Sequence, residues 1–143
     1  MMFDRVTAPG RIDLTTGFGD RVAMEMLAGP ALRSADCHAP PVSIVVIQLA
    51  DAQDVGVRDR AISLALRASV RATDQLFRID EDTVVAVLSV TTDAGAKKVM
   101  SRVARLTDRP FAYGVATSPR DGRNLELLVE QARARATLDR RWF

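Results

Sequence analysis

The sequence predicts an α+β fold, with a strand–helix–strand–strand–helix–strand core and one further helix at each end. Three observations carry that expectation. Val42–Leu49 is β-branched, almost unbroken in its apolar character and bounded by turn signals. Two stretches of helical periodicity, 57–73 and 93–106, each lie between strand-like runs. The acidic triplet Asp80-Glu81-Asp82 separates two short apolar runs, as the turn of a hairpin would.

Residues 1–12 carry Pro9-Gly10 and read as an irregular lead-in. A helix is expected over 17–32, with Phe18, Val22, Met26 and Leu27 at helical spacing and Gly29-Pro30 loosening its end. Residues 34–41 form a loop closed by Pro40-Pro41. After the buried strand Val42–Leu49, the helix over 57–73 puts Ala61, Ile62, Ala65, Leu66 and Ser69 on one stripe and Arg58, Arg60, Arg67 and Arg71 mostly elsewhere. Gln75–Ile79 and Thr83–Ser89 make the hairpin. The helix over 93–106 turns Ala96, Val99, Met100 and Val103 inward, with Asp93 near its start, where the helix dipole favours a carboxylate. Phe111–Thr117 is the last strand, Pro119-Arg120-Asp121-Gly122 a turn, and 125–140 the closing helix. The core order is the ferredoxin-like βαββαβ pattern.

Composition narrows the function classes. At 143 residues, 48% apolar and 27% charged, the chain has the size and balance of one globular domain. It has no apolar run of the ~20 residues that cross a bilayer and no signal-peptide layout, so a cytoplasmic setting is expected and no membrane partner. The single Cys37 forbids an internal disulfide, and His38 beside it falls short of the four ligands a zinc site takes; both read as loop residues, and no metal is expected. Net charge is +2, with Arg133, Arg135, Arg140 and Arg141 gathered late, where cations suit the end of a helix. No aromatic platform is interleaved with them, so nucleic acid is not expected as a partner.

Several segments resemble the GGDEF domain of diguanylate cyclases, enzymes that join two GTP molecules into cyclic di-GMP. Asp13-Leu14-Thr15-Thr16-Gly17-Phe18-Gly19-Asp20-Arg21 is similar to that family's entry motif, D-x-L-T-G-L-x-N-R. Phe111-Ala112-Tyr113-Gly114-Val115-Ala116 is similar to its strand S-I-G-V-A, and 132–140 to its helix A-D-x-A-L-Y-x-A-K. The resemblance implies a nucleotide-cyclase-like fold over residues 13–143.

The departures from the family decide what activity the resemblance implies. The signature G-G-D/E-E-F falls on Asp80, Glu81, Asp82, Thr83 and Val84, so both glycines have become acids and the second acid a threonine. The family's metal-binding aspartate at the end of the first strand falls in Gln48-Leu49-Ala50, an amide where a two-metal site needs hard anionic oxygens. Residues 51–56 are too short for the guanine-gripping segment. The implied domain is therefore no enzyme, with Gln48, Ala50, Asp80, Glu81, Asp82 and Thr83 as degenerate active-site positions. An acidic metal cluster of Asp51, Asp54, Asp80, Glu81 and Asp82 is the alternative, but no phosphate cradle accompanies it.

One family feature stands in place. Arg71 and Asp74 fall on the R-x-x-D of the inhibitory site, where cyclic di-GMP binds, and Arg102 falls where the family often adds another arginine. A guanidinium can fork onto phosphate or the guanine O6/N7 edge, and a carboxylate can accept from guanine N–H groups. The expected ligand is thus cyclic di-GMP as effector, with no other cofactor; the competing reading is a protein-interaction or dimerising module with no nucleotide. A partner protein or a second copy is expected under either, and Leu138, Arg140, Arg141, Trp142 and Phe143 are candidate contacts.

Overall fold

In the computed structural model, residues 11–34, 36, 38–50 and 53–138 are described. Cys37, Asp51 and the terminal residues Arg140, Arg141, Trp142 and Phe143 lie outside them, as does the lead-in up to residue 10. The elements are α1 (Arg21–Arg33), β1 (Val42–Leu49), α2 (Val55–Ser69), β2 (Gln75–Asp80), β3 (Thr83–Leu88), α3 (Asp93–Leu106), β4 (Phe111–Ser118) and α4 (Leu125–Leu138). The four strands form one antiparallel sheet in the order β2-β3-β1-β4, which is the split βαβ topology expected.

The sheet is covered on both faces, so the strands alternate between two apolar layers rather than between core and water. Val45, Ile47 and Leu49 face Ile62, Leu66, Met100 and Val103 of α2 and α3. Ile44 and Val46 face Met24, Leu32, Leu128 and Ala132 of α1 and α4. That double burial explains why Val42–Leu49 is a continuous apolar run.

The expectation for α1 needs correcting in start and phase. The helix begins after Asp20, whose carboxylate accepts from Ala23 N at 3.0 Å; the chain before it, with Gly17 at φ 77°, is a turn. Ala23, Met24, Ala28, Gly29 and Leu32 are its buried residues, and Val22, Met26 and Leu27 are exposed. Caps also reset α2, which starts at its N-cap Asp54 and ends at Ser69. Arg58, expected away from the apolar stripe, is buried.

At Gly114, β4 meets α4 with almost no gap. A Cβ there would lie 2.1 Å from Ala132 O and 2.5 Å from Ala136 N. The outer edge of β4 is held by side chains: Asp121 accepts from Thr117 N at 2.8 Å, and Arg135 donates to Val115 O and to Asp121. Partial burial works against ionisation of Asp121, but the Thr117 amide and the guanidinium groups of Arg120 and Arg135 outweigh it and hold its carboxyl at about 2. Because this is below the ordinary 3.8, the clasp stabilises fully above that value and loses its effect as pH falls from about 4 towards 2. Asp121→Asn should therefore cost roughly 1–2 kcal/mol at neutral pH and almost nothing near pH 2. Urea unfolding at the two pH values measures this, and an equal loss at both would contradict it.

Candidate functional site

β1 and the hairpin meet at one end of the sheet. Gln48 is paired with Thr83, and Leu49 N donates to Asp82 O at 2.8 Å. The acidic residues of the turn are occupied locally: Asp80 accepts from Asp82 N at 3.2 Å, and Asp82 from the Thr83 hydroxyl at 3.2 Å. Partial burial tends to raise the Asp80 carboxyl, yet hydrogen-bonding groups at Thr83 and Asp82 and the charge of Arg133 keep it below its usual value.

Behind the turn lies a chain of alternating charges that the sequence reading missed. Arg58 is 4% exposed and Asp59 1%. Arg58 donates through Nε and Nη2 to Asp59 Oδ1, through Nη1 to Ala50 O at 3.1 Å, and through Nη2 to Glu81 O at 2.9 Å. Arg78 Nη1 lies 2.5 Å from the other oxygen of Asp59 and 3.3 Å from Asp13 Oδ2. Its remaining nitrogens donate to Glu81 O and Asp80 O. For Asp13, burial opposes ionisation, and Thr16 and Arg78 prevail to lower its pKa. One buried and one partly buried cation are thus matched by two carboxylates and three backbone oxygens, which is the condition under which buried charge is tolerated. The signal was in the sequence: Arg58 and Asp59 stand four and three residues before Ile62, in phase with the buried stripe of α2.

The consequence is chemical. The gap between the end of β1 and the hairpin tip is bridged by a guanidinium, from Ala50 O to Glu81 O. Gln48 Oε1 is buried there without a hydrogen-bond partner among the described residues, but it is one neutral oxygen. Among the described residues no group of three His, Cys, Asp or Glu side chains could hold a metal. Asp80, Glu81 and Asp82 therefore do not assemble with Asp54 into an acidic cluster, and Asp51 lies outside the described residues. A divalent magnesium, which seeks several hard oxygens, does not fit this set.

The residues expected to bind an effector lie at the opposite end of α2. Asp74 is nearly buried: one oxygen accepts from Arg71 N at 2.8 Å and the other from Ser89 N at 3.0 Å, tying the turn after α2 to the end of β3. Arg71 is exposed and rests on Ser89 O and Thr91 Oγ1. Arg71 and Asp74 line a cleft of about 320 Å³ together with Gly17, Phe18 and Arg67. Arg67 stacks over the Phe18 ring at 4.9 Å and donates to Thr16 O, so the entry motif forms one wall. Arg102 donates to Ser69 O at 3.0 Å, capping the end of α2, and is not part of the cleft wall.

Known structures share this arrangement of elements. The GGDEF domain of TpbB (YfiN) from Pseudomonas aeruginosa superposes with a TM-score of 0.77 over 92% of this chain and 89% of that one, at 18% identity. The fold is that of a GGDEF domain. The GGDEF domain of FimX from Pseudomonas aeruginosa gives 0.78 at 15% identity, covering 91% of this chain and 93% of its own. The GGDEF domain of DgcB from Caulobacter crescentus, solved in complex with c-di-GMP, gives 0.77 at 12% identity, covering 91% and 90%. No protein-family model matches the sequence, and no curated protein matches it. The likeness is therefore one of fold. Among the described residues, no helix of this GGDEF fold is long and apolar enough to cross a membrane.

Proposed function

We infer that the chain is a non-catalytic regulatory domain built on the GGDEF fold and working in the cytoplasm. The observation that carries this reading is the Arg58 guanidinium, seated between Ala50 O and Glu81 O where the family resemblance puts a metal. Gln48 and Thr83 support it, since neither can supply the anionic oxygens that phosphoryl transfer uses to hold magnesium. Incubation of the purified protein with GTP and magnesium or manganese, followed by chromatography, should yield no cyclic di-GMP and no hydrolysis above a protein-free blank. Turnover that disappears with Asp82→Ala would overturn the reading.

A second reading makes the domain a receptor for cyclic di-GMP through Arg71, Asp74 and Arg102. It is favoured by the exposed Arg71 at the mouth of a cleft and by the same fold in DgcB holding c-di-GMP. Against it, both oxygens of Asp74 are already engaged by Arg71 N and Ser89 N. Pure protein docking needs no rearrangement there. Calorimetry decides: heat on titration with cyclic di-GMP that Arg71→Ala abolishes supports the receptor, and absence of heat leaves the docking module.

A further inference from the structure

The layer formed by α1 and α4 contains a groove of about 490 Å³ that shares no lining residue with the cleft at Arg71. Its floor is apolar, with Met24 from α1 and Val129 from α4. Its walls carry charge of both signs: Arg21, Glu25 and Arg33 from α1, and Glu126, Glu130 and Arg133 from α4. Arg21, Glu25, Arg33, Glu126 and Glu130 have no ion-pair partner among the described residues, although the groove holds three cations and three anions. Val22 and Met26, one turn apart and each next in sequence to a groove charge, are 49% and 54% exposed.

A groove with balanced charge attracts neither a simple anion nor a simple cation strongly. It suits a protein surface that carries both signs in matching places. One surface that satisfies this is the same face of a second copy, because in a two-fold dimer a contact between α1 of one copy and α4 of the other is made twice. Here α1 is richer in arginine and α4 richer in glutamate near its start, so α1 of one copy complements α4 of the next. We propose that the chain forms a symmetric dimer through the α1–α4 face, with the arginines of α1 meeting the glutamates of α4 across the axis and Val22 and Met26 covered at the rim. The proposal does not depend on whether the hairpin is catalytic or Arg71 binds a nucleotide.

The test uses the full chain and two charge-reversed forms. Glu126→Arg with Glu130→Arg turns the groove basic, and Arg21→Glu with Arg33→Glu turns it acidic; all four positions are exposed, so the fold should persist, as a cooperative melt would confirm. Sedimentation velocity from about 1 to 100 μM should show the unsubstituted chain dimerising, each reversed form monomeric, and their equimolar mixture dimeric again. Met26→Glu, an independent variant on the same face, should weaken dimerisation at least about tenfold. A monomeric unsubstituted chain, a dimer that both reversed forms retain, or a mixture that stays monomeric would each overturn the proposal.

Discussion

Gly114→Ala should cost at least about 3 kcal/mol of stability, because the added methyl group meets backbone rather than a side chain that could turn aside. Ala132 O and Ala136 N would lie 2.1 and 2.5 Å from the new carbon, far inside any tolerable contact, so α4 must lift off β4 or the strand must bend. That displacement would also disturb the apolar layer that Leu128 and Ala132 share with Ile44 and Val46. Gly56→Ala is the matching control. Its methyl group would come no closer than 3.4 Å to Asp54, in the first turn of α2, where alanine is the better helix former by about 0.5–1 kcal/mol. Denaturant midpoints should thus move in opposite directions for the two variants. Equal midpoints would mean that α4 does not sit against β4 as described.

Arg58→Met should cost about 3–5 kcal/mol, the loss typical of removing one member of a buried ion pair. The methionine replaces much of the volume, but Asp59 keeps only Arg78 as counter-charge, and Ala50 O loses a donor. Arg58→Lys should fall between the two, since an ammonium retains the charge but cannot fork to Asp59, Ala50 and Glu81 together. Hydrogen exchange of the amides of residues 81–83 should accelerate in Arg58→Met more than in Arg58→Lys, as Glu81 O is then held by Arg78 alone. A methionine variant as stable as the parent would remove the buried charge chain from any structural role.

The strands were legible in the sequence because their signals are local. The β-branched run of β1 and the acidic turn between β2 and β3 stand within one residue of where they were expected. For α3, Ala96, Met100 and Val103 lie inward as their spacing implied. The phase of α1 was not legible, since the larger apolar residues Val22, Met26 and Leu27 outweigh Ala23 and Ala28 in any hydropathy reading. The Asp20 cap fixes the start of the helix and so turns Ala23, Met24, Ala28 and Leu32 to the sheet instead. Arg58 was misplaced, and Asp59 given no place, for the converse reason: charged residues in an apolar stripe are assigned to the surface unless their partners are known. Those partners, Ala50, Arg78 and Glu81, come from three other segments. The role of Asp74 in holding Ser89 likewise rests on a contact across 15 positions of sequence.

We infer that the end of β1 and the hairpin tip do not make a metal–nucleotide site. Paramagnetic broadening by manganese, recorded on the amide spectrum with and without GTP, tests it at the residues concerned. The amides of Leu49, Asp82 and Thr83 should keep their intensity at manganese concentrations that broaden only exposed carboxylates such as Asp108. Selective broadening of Leu49, Asp82 and Thr83 that strengthens when GTP is added would contradict it, for it would mean that a cation reaches the place Arg58 is described as filling.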